Sequence, residues 1–443
     1  MAVLAIVYTI EWLAAPPPDS LNRATASLGT LPRGAIVAVE AGTFVLLIAL
    51  LERALGNPFI RRLLTAIVAI AVLFIAWAGW SGVSIGNIVV GLRQYLRPVP
   101  IALAGYLIGA TDPHRVWLRR LLIALGAVAV AQIPLTVYQA VFLTGRAVAG
   151  QTAQDVVSGT FGPIASGTLG LFLLSAAGFV LSTDIVRGKV GARTWMKVGL
   201  LLLPAVLGGV RAMFPLLAGL VVVSLLFMPG RVTARQRLAV GGGLLCIGVA
   251  GASIYGRYAD AGFIERFGVD YVRRHFTVVE DGQRLSRGAA LVYSASVISD
   301  DPSSVLLGKG VGSATRSFFL APQPPYYHFE TDRSLLNRVL IEGGLVGTLL
   351  LIGAVWRVNR IGHRAWHLSD EKDVRAAALG VVLSTWVALA SIIYNDAMTR
   401  SQFSYPFWLL GAYMLAVTHG AKGGDEAPRQ RASLSKAGHE SIG

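Results

Sequence analysis

Charge is scarce in this chain. Only 14% of its 443 residues are Asp, Glu, Lys or Arg, whereas a soluble domain carries about 25%. Hydrophobic residues make up 54% of the chain, and the mean hydropathy is +0.61. This composition excludes an ordinary soluble domain and predicts an all-α polytopic membrane protein.

Cysteine is nearly absent as well. The single Cys246 lies in an apolar stretch, so no disulfide can hold a loop together, and any large loop must be held by packing against the helices. The sequence also lacks a Walker phosphate-binding loop and a His-Glu-x-x-His metal motif. We therefore expect no metal site and no cofactor.

Long hydrophobic runs, by contrast, are abundant, and a helix needs roughly 18 to 25 such residues to cross a bilayer. The first stretch, 2–14, is short, contains Glu11 and has no basic segment before it, so we do not expect a cleaved signal peptide there. Counting it gives about 12 (11–12) transmembrane helices. The runs are 2–14, 34–51, 63–80, 96–110, 119–141, 163–182, 197–210, 212–228, 238–255, 336–356, 375–393 and 404–419.

These runs divide the chain into four parts. Residues 1–255 would hold helices 1–9, and residues 336–420 would hold helices 10–12. Between them, residues 256–335 form a large polar loop. Within that loop we expect a short helix from Arg287 to Ile298. The tail 421–443 is rich in Gly, Ser and charge, which predicts disorder.

Basic residues indicate which side of the membrane each loop faces. The loops 52–62, 111–120, 183–197, 229–237 and 357–375 carry 18 Lys and Arg, while the short loops between them carry 7. The positive-inside rule puts the richer set in the cytoplasm. The large loop is then extracytoplasmic and the C-terminus cytoplasmic. Topology thus explains much of the +15 net charge, which is no indication of nucleic-acid binding.

Several arginines lie where charge is costly. Arg211 falls between two apolar runs, and an arginine at membrane depth is a functional hypothesis, because guanidinium binds phosphate bidentately. Alternatively, Arg211 reaches the headgroups or ends a helix. Arg93 and Arg97 would share one face of a helix. They are either anion ligands or part of an amphipathic surface turn.

Three loop glycines, Gly308, Gly310 and Gly312, also have two interpretations. They either shape a tight turn or let backbone N–H groups approach a phosphate.

Taken in order, these features resemble the O-antigen ligase and polymerase superfamily over about residues 60–420. The order and spacing of the motifs carry the resemblance, together with the large outer loop between helices 9 and 10, since each motif is short. The matching segments are Gly159–Gly162, Gly209–Ala212, Arg287, Ile298–Pro302, Leu307–Gly312, Leu335–Leu336 and Glu342–Gly347.

The resemblance implies a glycosyltransferase of the bacterial inner membrane. Its donor would be a polyprenyl-diphosphate-linked glycan used outside the cytoplasm, without a metal or cofactor. Its other partners would be a glycan or lipid acceptor and membrane lipid, with a chain-length regulator as a further candidate. Arg211 and Arg287 are the leading candidates for binding the diphosphate, and Arg93, Arg97 and Arg333 complete the set.

The acceptor hydroxyl needs a base, and the candidates are Asp332, His328 and Glu330. Ligases of this superfamily have His-Asn in the slot that Arg333 and Ser334 occupy here. Asp332 could instead cap the following helix, and His328 could be a surface residue.

The missing His-Asn favours a polymerase over a ligase. A transporter of lipid-linked glycans and a non-catalytic assembly protein stay as alternatives. Against a transporter, the sequence shows no division into two similar halves.

Overall fold

The computed structural model describes residues 48–53, 55–142, 157–161, 165–210, 233–258, 279–280, 284–285, 287–315, 324–326, 334–400 and 402–419, with a few isolated positions near 42–45 and 213–220. Side chains of 254–258 and of the short strands are outside this description. The predicted runs 2–14, 34–51 and 212–228 and the tail 421–443 lie wholly or mostly outside it.

The regular structure in the described part of the chain is helical apart from one two-residue antiparallel strand pair, β1 (Val279–Glu280) with β2 (Arg284–Leu285). Short 3₁₀ turns occur at Gly159–Phe161 and Ala397–Thr399. The helices are α1 (Pro58–Trp80), α2 (Ile85–Leu96), α3 (Pro98–Ala110), α4 (Val116–Phe142), α5 (Ser166–Val186), α6 (Ala192–Leu207), α7 (Ala234–Tyr258), α8 (Arg287–Ile298), α9 (Pro302–Leu307), α10 (Leu335–Leu368), α11 (Lys372–Tyr394) and α12 (402–419).

Five of these helices, α1, α4, α5, α10 and α11, are long and apolar enough to cross a membrane. The chain is therefore a helical membrane protein. Helix α5 and helix α11 form the centre, since 15 of the 21 residues of α5 and 15 of the 23 residues of α11 are buried. Helix α1 lies at the edge, with only Ile60 and Ala78 buried, so most of its apolar side chains face outward, as they do toward lipid.

Two boundaries differ from the sequence prediction. Helix α10 continues to Leu368 rather than ending near 356, because Arg357 and Arg360 are good helix formers and only Ser369 ends the helix. The segment 81–95, expected to be a short loop, contains α2, whose first turn is capped by Ser84. The predicted loop helix is confirmed, because α8 has the expected bounds.

The large loop packs against the membrane helices, as the lack of a disulfide required. Both α8 and α9 contact α10. We call the end of the bundle where these helices lie the loop end. It includes the end of α1, all of α2, and the starts of α10 and α12. The other end, with the starts of α1, α4 and α11, is called the opposite end.

Ion pairs hold the opposite end together. Arg115 Nε lies 3.3 Å from a Glu371 carboxylate oxygen, and Asp373 pairs with Arg119 at 2.5 Å and with Arg187 at 3.8 Å. The buried Asp112 accepts hydrogen bonds from the backbone of α4. These contacts tie the start of α4 to α5 and α11.

Candidate functional site

Residues 308–315, which we call the glycine clasp, fit into the loop end of the bundle. Lys309 N–H donates to Ile341 O at 2.6 Å, and Trp77 Nε1 donates to Gly308 O at 2.9 Å. Gly312 has φ +86°, and a Cβ there would lie 2.0 Å from Asn87 O. Backbone packing therefore accounts for these glycines, in agreement with the tight-turn interpretation.

The clasp is held by one buried carboxylate. Glu342 of α10 is 1% exposed. Its Oε1 accepts from Thr315 Oγ1 at 2.6 Å and from Ala314 N–H at 3.2 Å. Its Oε2 accepts from Tyr95 of α2 at 2.7 Å. Because an ionised carboxylate accepts without donating, these three donors match it well, and Glu342 joins three separate segments of the chain.

One turn before Glu342, α10 carries a buried arginine. Arg338 is 2% exposed. Its guanidinium donates to Gln94 Oε1, and its Cζ lies 5.7 Å from the centre of the Tyr95 ring. Tyr95 therefore meets Arg338 with its ring and Glu342 with its hydroxyl.

The two predicted arginines, Arg93 in α2 and Arg97 directly after its end, do share a helical face. Arg97 N–H donates to Arg93 O at 2.9 Å, which is the spacing of a helical turn. Arg97 Nε also donates to the Tyr405 hydroxyl at 3.0 Å, and its guanidinium lies 5.6 Å from that ring. Both arginines thus belong to the loop end, although their role stays a prediction.

Arg287, the first residue of α8, is anchored to the end of α11. Its Nε donates to Tyr394 O at 2.8 Å, and its guanidinium lies 4.2 Å from the Tyr394 ring, close enough for a cation–π interaction. The next residue, Asn395, accepts from Leu335 N–H at 3.1 Å. Arg287 and the start of α10 are therefore connected through a single short segment.

An apolar groove leads to this region. It has a volume of about 530 Å³ and is bounded by α1, α2, α3, α10 and α12. Along α10 its wall includes residues from Val339 to Ile361, on both sides of a kink at Gly344, where φ is +59°. From the kink to Ile361 the helix rises about 26 Å at 1.5 Å per residue, which is most of the thickness of the hydrocarbon core. Tyr95 and Glu342 form part of its wall at the loop end.

Two titratable groups in the described part of the large loop are perturbed. Hydrogen bonds from Ser303 and Ser304 hold the pKa of the Asp301 carboxyl well below its usual range, while Asp301 caps α9. Burial raises the pKa of the Tyr293 hydroxyl, and nearby Tyr326 raises it further. Asp301 therefore has a local structural role.

Five predicted site residues, Asp332, His328, Glu330, Arg211 and Arg333, lie outside the described residues. Among the described residues, the structure adds Arg338, Tyr95 and Gln94 to the candidates. A sequence signal for two site residues was present, since Arg338 and Glu342 are charged residues four apart in an apolar stretch. Nothing local pointed to Tyr95 or Gln94.

The segment Gly82–Gly86 matches the Gly-x-Ser-x-Gly spacing of a nucleophile elbow. Ser84, however, is an exposed helix cap that accepts from Asn87 N–H at 3.4 Å, and the segment before it is the end of α1 rather than a strand. The spacing is therefore no evidence for a serine hydrolase.

The part of the chain that the structure describes contains no group of three or more His, Cys, Asp or Glu side chains suited to a metal ion. In comparisons with known proteins, no family model and no curated protein matches this chain.

Proposed function

We propose that the protein polymerises polyprenyl-diphosphate-linked oligosaccharide repeat units by glycosyl transfer outside the cytoplasm. The observation that carries the proposal is an apolar groove whose wall includes Tyr95 and Glu342 at the loop end, the same end of the bundle at which Arg93, Arg97 and Arg287 lie. A polyprenyl-diphosphate glycan has the same division, a long apolar chain joined to a doubly charged head. The groove would receive the chain, and the arginines at the loop end would receive the diphosphate.

The proposed reaction depends most on stabilising the diphosphate leaving group. Breaking the bond between sugar and phosphate leaves negative charge on the leaving group, and fixed cations near that group lower the barrier. Arg93, Arg97 and Arg287 lie at the loop end. The guanidinium groups of Arg97 and Arg287 donate to Tyr405 and Tyr394, and the backbone carbonyl of Arg93 accepts from Arg97 N–H. Arg211 and Arg333 are further candidates from the sequence.

The attacking hydroxyl belongs to the acceptor, and a positioned base would take its proton. Asp332, His328 and Glu330 stay the candidates, because they lie just before α10 in the sequence. Glu342 is a poor candidate by comparison, since three donors already occupy its carboxylate.

Two other functions use the same donor. A ligase would pass the glycan to lipid A–core or another acceptor, and a transporter would move it unchanged. The absence of His-Asn before α10 in the sequence favours the polymerase over the ligase. A junction that holds the diphosphate is useful to an enzyme that cleaves there, whereas a carrier needs a path for the whole glycan.

The test is incubation of the purified protein in lipid with the lipid-linked oligosaccharide of its own host, followed by electrophoresis. Products one repeat apart would support a polymerase. A single shift that depends on an added acceptor would replace it with a ligase. An unchanged glycan with folded protein would exclude both and favour transport.

A further inference from the structure

The wall of the apolar groove contains one cation among the described residues that line it, Arg357 of α10. Arg357 is exposed. The adjacent Val358 packs on Gly411 of α12, where a Cβ would lie 2.9 Å from the Val358 side chain. This packing fixes the face that α10 turns toward α12. Arg357 therefore stays in the half of the groove toward the opposite end, whereas Glu342 lies at the loop end.

Arg357 has no carboxylate partner in the part of the chain that the structure describes. Two carboxylates at this end, Glu371 and Asp373, pair instead with Arg115 and Arg119 at the start of α4. Four more exposed arginines on α1 and α10 form no ion pair with a described residue either, namely Arg61, Arg62, Arg360 and Arg364. The side of the opposite end formed by α1 and α10 is therefore basic, and a basic surface beside membrane helices attracts anionic lipid.

Both of these helices change from apolar to basic at this end of the groove. On α1 the apolar run begins at Leu63, directly after Arg61 and Arg62. On α10 the apolar run ends at Trp356, directly before Arg357, and tryptophan is enriched at the boundary between membrane and water. Arg357 therefore lies at the level of lipid head groups.

The groove between this boundary and Phe74 of α1 has the length of one leaflet. A Cβ on Gly347 would lie 3.7 Å from the Phe74 ring, so α1 and α10 approach each other there. From Gly347 to Arg357, α10 rises about 15 Å at 1.5 Å per residue, which is half of a hydrocarbon core of about 30 Å. The aliphatic side chains that line this half include Leu63, Leu64, Ile67, Leu350, Leu351 and Ala354.

We propose that this half of the groove binds an anionic glycerophospholipid, with its phosphate at Arg357 and its acyl chains between α1 and α10. The planar fork of a guanidinium matches two phosphate oxygens, and the surrounding arginines favour a head group with net negative charge. This lipid is neither donor nor acceptor in the proposed reaction, so the inference goes beyond that function. The chain of the proposed donor would enter the same groove from the loop end.

The experiment measures phospholipid binding to the purified protein by native mass spectrometry. Wild-type protein and the variants R357Q and R357K are titrated with dioleoyl phosphatidylglycerol and dioleoyl phosphatidylcholine, which share their acyl chains and differ in net charge. The matched control is R364Q. Arg364 is also exposed, lies on the same helix and has no described ion pair, but it does not line the groove.

A second pair of variants tests where the acyl chains lie. Ala354 lines the groove, so A354W should fill it and weaken the binding of both lipids. Leu349 is 67% exposed on the same helix and lies outside the groove, so L349W should bind both lipids as the wild type does. Elution volume and melting temperature check the fold of each variant.

We expect the wild type to prefer phosphatidylglycerol, and R357Q to weaken its binding by about 10-fold, the effect of one hydrogen bond to a charged group. R357K keeps the charge without the fork and should lose less. R364Q should keep most of the affinity, because it removes only a charge that salt screens. If R357Q does not fold, R357K and A354W decide the question.

Three results would overturn the inference. Equal losses in R357Q and R364Q would show a diffuse attraction rather than a site at Arg357. Equal binding of the two lipids by the wild type would exclude recognition of an anionic head group. Binding that A354W leaves unchanged would exclude the groove as the place of the acyl chains. None of these results bears on the polymerase proposal, which the ladder of products tests separately.

Discussion

The two ends of the helical bundle use arginine in different ways. At the opposite end, Arg115, Arg119 and Arg187 lie against the carboxylates of Glu371 and Asp373. At the loop end, the contacts described for Arg97, Arg287 and Arg338 are with tyrosine rings and neutral oxygens. Among the described contacts, arginines at the opposite end meet carboxylates of other helices, with Arg375 also stacked on Trp366, whereas those at the loop end meet tyrosine rings of other segments.

This difference has a physical meaning. An ion pair satisfies the charge of a guanidinium and leaves little for a ligand, whereas a tyrosine ring fixes its plane and preserves its charge. The loop end also contains ion pairs, such as Arg400 with Asp396 at 3.0 Å and Lys309 with Asp300. These involve neighbours in sequence and stabilise local turns. The ring-stacked arginines instead join different helices.

The largest effect should come from removing a loop-end arginine. We expect Arg287→Met to lower polymerising activity by about 100-fold or more, as loss of one transition-state contact does, because its guanidinium would no longer meet the leaving diphosphate. Arg187→Met at the opposite end is the control and should keep wild-type activity. The rate at which the product ladder appears measures both. Equal activity in the two variants would show that the arginines at the two ends of the bundle do not differ in function.

A second prediction concerns the fit of the clasp. Gly312 and Gly82 both have positive φ, +86° and +77°, but only Gly312 has backbone within contact of a Cβ. Gly82→Ala should therefore cost only the conformational strain, about 1–2 kcal/mol, whereas Gly312→Ala should cost clearly more and also reduce activity. Thermal unfolding in detergent compares them. An equal loss of stability in the two variants would show that the close packing of Gly312 against Asn87 is not needed.

A smaller effect should come from the carboxylates at the two ends. Glu342→Gln should cost about 2 kcal/mol of stability, because the carboxylate accepts three hydrogen bonds in a buried place. Glu371→Gln should cost less than about 1 kcal/mol, because that side chain is 52% exposed in its pair with Arg115. Thermal unfolding of both variants checks this. A larger cost for Glu371→Gln would reverse the ranking.

The smallest effect should be seen only in acid. The pKa of Asp301 is lowered in the folded protein, so its contribution to stability is complete above the ordinary value of 3.8 and is lost as pH falls through the lowered pKa. Asp301→Asn keeps a good helix cap and should behave as the wild type near neutral pH. The difference between the two proteins should then change below about pH 4, as measured by melting temperature. A pH-independent difference would contradict this origin.

The sequence predicted well the features that depend on residues close together along the chain. Hydrophobic runs located the cores of α4, α5 and α11, and the bounds of α8 followed from its local pattern. The end of α10 was missed because hydropathy marks where a helix leaves an apolar environment rather than where it stops. The partners of Glu342 and Arg338 could not be predicted, since Tyr95 and Gln94 are brought there only by packing of α2 on α10.

That packing has a consequence for how the protein is made. Tyr95 meets Glu342 across 247 residues of sequence, and Trp77 meets Gly308 across 231. During synthesis, α1 and α2 are in place long before their partners leave the ribosome. The loop end therefore closes late, only after α10 has been inserted. A chain that stops before α10 would have no closed loop end.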